Sequence, residues 1–161
     1  MDPVPPFAPF FGVPHFPGGC QRVVMPIVTA TRRLRFNAAH RIHNPALSDA
    51  ENTRLFGKCN NPNWHGHNYT LEVSVTGEVD PTTGYVMDLG HLRGIVEREV
   101  IEPMDHRNLN LDVEMLRGIN PTSENIVVAC WHAIAPHVAP AQLSRLRLWE
   151  TENNHVEYSG R

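Results

Sequence analysis

Cysteine is scarce in this 161-residue chain, with three in all, and aromatic side chains make up only 7% of it. An odd and small number of thiols does not make a disulfide framework, so a reducing compartment, the cytoplasm, is the expected location. No uninterrupted apolar run reaches the roughly 20 residues of a spanning helix, and no membrane partner is expected. Neither sign of charge dominates: the formal net charge is −3, which lacks the basic footprint of a nucleic-acid binder. Lysine and arginine are missing from Met1–Gly19, which instead holds six prolines and four phenylalanines. That segment has neither the basic n-region of a secretory signal nor the arginine-rich pattern of a transit peptide. Proline at this density blocks helix and central strand, so residues 1–20 read as a flexible extension. The remainder, 21–161, has room for one domain, and hydrophobic and charged fractions of 41% and 19% give it an ordinary globular composition. What the chain has in excess is histidine, ten residues of it.

Alternation predicts a strand over Ile27–His40 with Leu34, Phe36, Ala38 and His40 on one face. A second runs over His65–Val75 with His67, Tyr69, Leu71, Val73 and Val75 together. The turn signal DPTTG follows, and Tyr85–Met87 is expected to pair back as a short strand. Asp88 reads as the N-cap of a helix with Leu89, Leu92, Val96 and Val100 on its apolar side. A second helix starts at Thr122 or Ser123 and buries Ile126, Val127, Cys130 and Ile134. Leu143–Thr151 alternates again, and Asn153-Asn154 turns the chain into HVEY. The expected fold is therefore α+β, an antiparallel sheet with two helices on one face.

Residues His65 and His67, spaced i, i+2, point the same way from a strand, and His40 ends the face of the strand before them. If the two strands pair antiparallel, three imidazoles converge, and three neutral nitrogens with an open fourth position is how catalytic zinc is held. His43, His91, His132, His137 and His155 have no such setting and read as surface or packing residues.

The connection from His40 to His65 is too long for an ordinary loop and contains Cys59. That thiol reads equally as a fourth ligand closing a structural site, as an inert loop residue, or as a base or nucleophile beside an open metal. Cys20, near the N-terminus, and Cys130, on a helix core stripe, need no such role. Asp105-His106 reads as a turn pair or as a titrating site. Glu150 ends the apolar side of the last long strand, beside Leu146 and Leu148, and needs a donor: an internal arginine or the N–H groups of a ligand.

In order along the chain, FNAAHR, GKCNNPNWHGHNY, DPTTGYVMDL, MDHRNLNLD, PTSEN and WETENN resemble the 6-pyruvoyl-tetrahydropterin synthase family. The resemblance runs from about Arg32 to the C-terminus, roughly four-fifths of the chain. Five residues separate Cys59 from His65, and related bacterial enzymes that make 6-carboxytetrahydropterin use a shorter spacing, so the animal-type enzyme is the better match. Trp64 departs from the pattern, which has glycine there.

The resemblance implies conversion of 7,8-dihydroneopterin triphosphate to 6-pyruvoyl-tetrahydropterin and triphosphate in tetrahydrobiopterin synthesis, a phosphorus–oxygen lyase reaction. It implies the tunnelling fold, with sheets closing into a barrel in trimers that stack as a homohexamer with pockets between subunits. It implies one zinc per chain on His40, His65 and His67, and magnesium with the triphosphate. It assigns Cys59 as proton acceptor, Asp105 and His106 as a relay, and Glu150 as the carboxylate that fixes the pterin ring. Thr122 and Glu124 are further, weaker pterin-site candidates; the triphosphate site is not identified, and Lys58 and Arg107 read either as contributors to it or as ordinary solvated charges. Beside this stand a 6-carboxytetrahydropterin synthase-like enzyme, a zinc hydratase or hydrolase, and a non-catalytic zinc module closed by Cys59.

Overall fold

A computed structural model describes residues 25–161, so the Pro/Phe-rich start and Cys20 lie outside the described residues. Strand β1 spans Ile27–His40 and pairs antiparallel along its whole length with β2, His65–Glu78. The register runs from Ile27 opposite Glu78 to His40 opposite His65. Between them, α1 (Asp49–Phe56) and a 3₁₀ turn (Gly57–Asn60) occupy the long connection. The helix was not among the expectations, although Ser48 and Glu51 form the capping box that marks its start in the sequence.

Helix α2 (Leu89–Val96) is capped by Asp88, whose carboxylate accepts from the Gly90 and His91 N–H groups. The helix runs on through a π turn, Glu97–Ile101, into the single turn α3 (Glu102–Met104). Strand β3 (Arg107–Asn108) follows, then α4 (Ser123–Ile134), β4 (Gln142–Trp149) and β5 (His155–Tyr158). The sheet order is β3-β1-β2-β4-β5.

Two expectations need correction. The sheet is not purely antiparallel, because β3 pairs parallel with β1, Ala38 beside Arg107. Tyr85–Met87 is not a strand: the Asp80 side chain accepts from the Thr82 and Thr83 N–H groups and Gly84 turns at φ 75°, which closes the loop tip. Only three residues then separate that tip from the Asp88 cap, too few for a ladder, and Val86 and Met87 instead pack on the core.

The core lies on one face of the sheet. Phe36, Ala38, Tyr69, Leu71, Val73, Val75, Leu146 and Leu148 meet Leu92, Ile95, Val96, Val100 and Met104 from the α2–α3 segment and Ile126, Val127, Cys130 and Ile134 from α4. The opposite face is polar, with Thr31 bonded to Ser74 at 2.8 Å and Arg33 paired to Glu72. Outside the two residues of β3, the outer edge of β1 carries no strand partner among the described residues.

Candidate metal centre and active site

Strand register alone brings the histidines together. His40 faces His65 across the β1–β2 pair, and His67 follows two residues on along β2. The ring centroids lie 4.5 Å apart for His40–His65 and 5.1 Å for each of the other two pairs. His40 is 1% exposed, and its Nδ1–H donates to the Pro121 carbonyl at 2.9 Å, which leaves Nε2 as a lone-pair acceptor. His40 Nε2, His65 Nδ1 and His67 Nε2 are all buried without a hydrogen-bond partner. One nitrogen from each ring falls in a group whose members all lie within 4.8 Å of one another. Three shielded, unpartnered nitrogens converging on one point are costly unless something binds them, and a metal ion fits that donor set. Burial, and beyond it the neighbouring imidazoles, holds His40 and His65 below the ordinary histidine pKa, against the pull of the Pro121 carbonyl on His40. The rings are thereby kept in the neutral form that ligates.

The other predicted residues surround this point unequally. Glu150, 26% exposed at its side chain, aims Oε1 at 3.7 Å from His40 Nε2 and 3.8 Å from His67 Nε2. Among the described residues it has no arginine or lysine partner, so the internal salt-bridge reading finds no support. Cys59, on the 3₁₀ turn, is exposed and lines a cleft with His65 and His67. It is absent from the group of converging ligand atoms, so a closed four-ligand site finds no support either. A second cleft, about 340 Å³, is lined by Cys59, Thr122, Ser123, Glu124 and Glu150. Thr122 is committed in part to capping α4, where its hydroxyl accepts from the Asn125 N–H at 3.4 Å.

Asp105 lines a third cleft together with His67 and Glu150, and with His106 it is hooked on the edge of β1. Asn37 N–H donates to Asp105 Oδ1 at 2.7 Å, and His106 N–H donates to the Asn37 carbonyl at 2.6 Å. The Asn37 N–H chiefly, with His106, holds the Asp105 carboxyl below the usual aspartate range. Asp105 Oδ2 is 2.9 Å from His106 Nδ1, while the His106 side chain is 81% exposed and points away from the protein at φ 58°. The pair shares neither cleft with Cys59.

Comparison with known proteins settles the kinship. Residues 29–161 match the model of the family described as 6-pyruvoyl tetrahydropterin synthase. The chain belongs to this family. It is 45% identical over 130 residues to human 6-pyruvoyl tetrahydrobiopterin synthase, covering 81% of this chain and 90% of the relative. The Drosophila melanogaster protein of the same name is 42% identical over 136 residues, 84% of this chain and 81% of the relative. The structure of Caenorhabditis elegans 6-pyruvoyl tetrahydropterin synthase superposes with a TM-score of 0.80 at 44% identity, covering 85% of this chain and 98% of that one.

Against this family background the Trp64 departure has a physical meaning. Trp64 sits at φ 66°, left-handed backbone that glycine adopts without penalty, so this chain holds an L side chain where the resemblance sets the expectation of glycine. Sequence reasoning missed Ser123, whose buried hydroxyl lacks a partner beside Glu150's cleft, and Asn60, buried next to Cys59. Ser123, inside the quoted PTSEN motif, reads in the sequence as a candidate helix start and not as a site residue. Asn60 stood in the CNNPN run, where nothing local distinguishes a buried amide from a turn residue.

Proposed function

We propose that this chain is a zinc-dependent lyase that converts 7,8-dihydroneopterin triphosphate to 6-pyruvoyl-tetrahydropterin with release of triphosphate. The observation that carries the reading is the trio of unpartnered imidazole nitrogens next to Cys59 and Glu150, in a chain of this family. Zinc bound there supplies Lewis-acid stabilisation of negative charge developing on the substrate's side-chain oxygens. Cys59 accepts the proton that leaves the side-chain carbon. Glu150 pairs with the two adjacent N–H donors of the pterin, N3–H and the 2-amino group, and so sets which carbon faces the thiol. Thr122 and Glu124 border the ring in the same cleft as Glu150.

The Asp105–His106 pair, with an exposed imidazole and no cleft shared with Cys59, reads as a contribution to a neighbouring chain's site. Asp105 orients the imidazole by its 2.9 Å contact, and the left-handed backbone at His106 is the kind of local strain that functional positions retain. The open outer edge of β1 supports the same arrangement, because a long unpaired edge favours closure against another copy. The assembly is a homohexamer of two trimers whose sheets close into a barrel. Residues 21–161 form its single catalytic domain, 1–20 form an extension, and the free thiols Cys59 and Cys130 suit the cytoplasm.

Incubation with dihydroneopterin triphosphate and metal-replete protein tests the reading, with released triphosphate and pyruvoyl product both assayed. Cys59→Ala is expected to retain metal and assembly while turnover falls about 10²–10⁴-fold, the usual cost of losing a positioned base. Loss of metal with the thiol would point to a structural site.

A further inference from the structure

The segment that carries Cys59 has almost no hydrophobic anchorage. Across 49–60 the buried residues are two asparagines, Asn52 and Asn60, while Leu55 is 54% exposed. Asn52 ties α1 only to its own leading turn: it accepts from the Asn44 N–H at 2.8 Å and donates to the Asn44, Leu47 and Ser48 carbonyls. The attachment at the Cys59 end is different. Asn60 Oδ1 accepts from Arg41 Nε at 3.1 Å and is 3.0 Å from His43 Nδ1, which donates to it; Arg41 Nε also donates to the Asn60 carbonyl at 3.1 Å. Ile42 N–H donates to the Cys59 carbonyl at 2.9 Å.

The clamp is itself anchored. Arg41 exchanges two bonds of 2.9 Å with Asn110, and His43 N–H donates to Asn120 Oδ1 at 3.1 Å. Arg41, Ile42 and His43 directly follow the metal-ligand candidate His40 at the end of β1. One short stretch of chain therefore carries His40 of the imidazole cluster and holds the loop that carries the thiol, through the Arg41 and His43 side chains and the Ile42 N–H.

We infer that Asn60 is the positioning residue for Cys59: its buried amide oxygen, held by Arg41 and His43, registers the thiol against the histidine cluster. This rests on the reading of Cys59 as the proton acceptor. A neutral amide suits the task because its oxygen takes two donors at once while leaving no charge beside the thiol. An aspartate keeps that oxygen, an alanine removes it, and the backbone bond from Ile42 to Cys59 survives in both.

The test compares Asn60→Ala, Asn60→Asp and His43→Ala with the parent in the full-length, metal-replete protein carrying Cys20→Ser. Cys59 is then the exposed thiol beside the buried Cys130, among the two described cysteines. Asn60→Ala should lower kcat about ten- to a hundred-fold, the scale of a misplacement near 1 Å, with KM within about three-fold and metal content unchanged. Alkylation of Cys59 by iodoacetamide should change by more than about three-fold in the same variant. Asn60→Asp should recover at least about ten-fold of the lost kcat, and His43→Ala, which removes one donor, should fall between. Parent-like kcat and alkylation in Asn60→Ala would overturn the inference, as would Asn60→Asp no better than alanine. Should Asn60→Ala not fold, His43→Ala decides alone: unchanged alkylation and kcat would sink the clamp. Turnover that survives Cys59→Ala would defeat the proton-acceptor reading instead, and the alkylation comparison would still judge the placement.

Discussion

His40 spends its Nδ1–H on the Pro121 carbonyl at 2.9 Å, and that single bond fixes the tautomer that presents Nε2 to His65 and His67. The consequence for His40→Ala is specific. Two imidazoles remain, and two-histidine sites hold metal weakly, so elemental analysis should find well under half of the parent's metal per chain. Retention of full occupancy would show that the three rings do not act as a set. Glu150 argues its role from the same neighbourhood, since no cation among the described residues claims its carboxylate. Glu150→Gln keeps the shape but sets an amide donor against a donor of the pterin. Binding of a pterin ligand, measured by calorimetry, should weaken by about 1–3 kcal/mol while metal content stays unchanged. Equal affinities would return Glu150 to a packing role.

At the scale of elements, the turn into β2 carries the departure from the family pattern. Trp64 N–H donates to the Asn61 carbonyl at 3.0 Å, and its backbone then turns left-handed to launch His65 into the strand. An L residue in that conformation costs roughly 1–2 kcal/mol, and a β-branched one is worse placed still. Trp64 already bears that cost, so Trp64→Val should lower unfolding stability only by the further β-branched strain, about 1 kcal/mol, whereas Trp64→Gly should not lower it. Denaturant titration of the three proteins checks this, and a stability loss on going to glycine would mean that the indole makes packing contacts that outweigh the strain. The second element that repays attention is the α2–α3 segment. Its π turn and single last turn deliver the chain to Asp105 just where β3 pairs with β1, so a two-residue parallel strand fixes the Asp105–His106 pair on the sheet edge.

For the whole molecule, the separation of Asp105–His106 from Cys59 makes a prediction about assembly. A Cys59→Ala chain and a His106→Ala chain are each expected to be nearly inactive alone. In mixed oligomers, sites that draw Cys59 from one chain and His106 from its neighbour become whole again, and random mixing restores about one quarter of the parent activity. A site contained within one chain would restore none. Co-expression with two different tags, tandem purification and a triphosphate-release assay distinguish the outcomes. Mass measurement on the same sample tests the proposed hexamer.

Much of this was legible beforehand because it depends on period and spacing. Alternation in Ile27–His40 and after His65 determined which side chains share a face, and i, i+2 spacing determined that His65 and His67 point together. Asp88 was readable as a cap because capping is local chemistry, while the start of the second helix was readable only as Thr122 or Ser123, which the Thr122 cap decides. The unpaired fate of Tyr85–Met87 and the parallel β3 were not, since both depend on how many residues remain after neighbouring elements claim theirs. The convergence of His40 on the HGH pair rested on a strand register that no local pattern encodes, and the 14-residue β1–β2 ladder decided it. Asn60 shows the limit most clearly. Its sequence neighbours read as turn, and only the packing of Arg41 and His43 against it, from the far end of another strand, turns a loop asparagine into a buried acceptor.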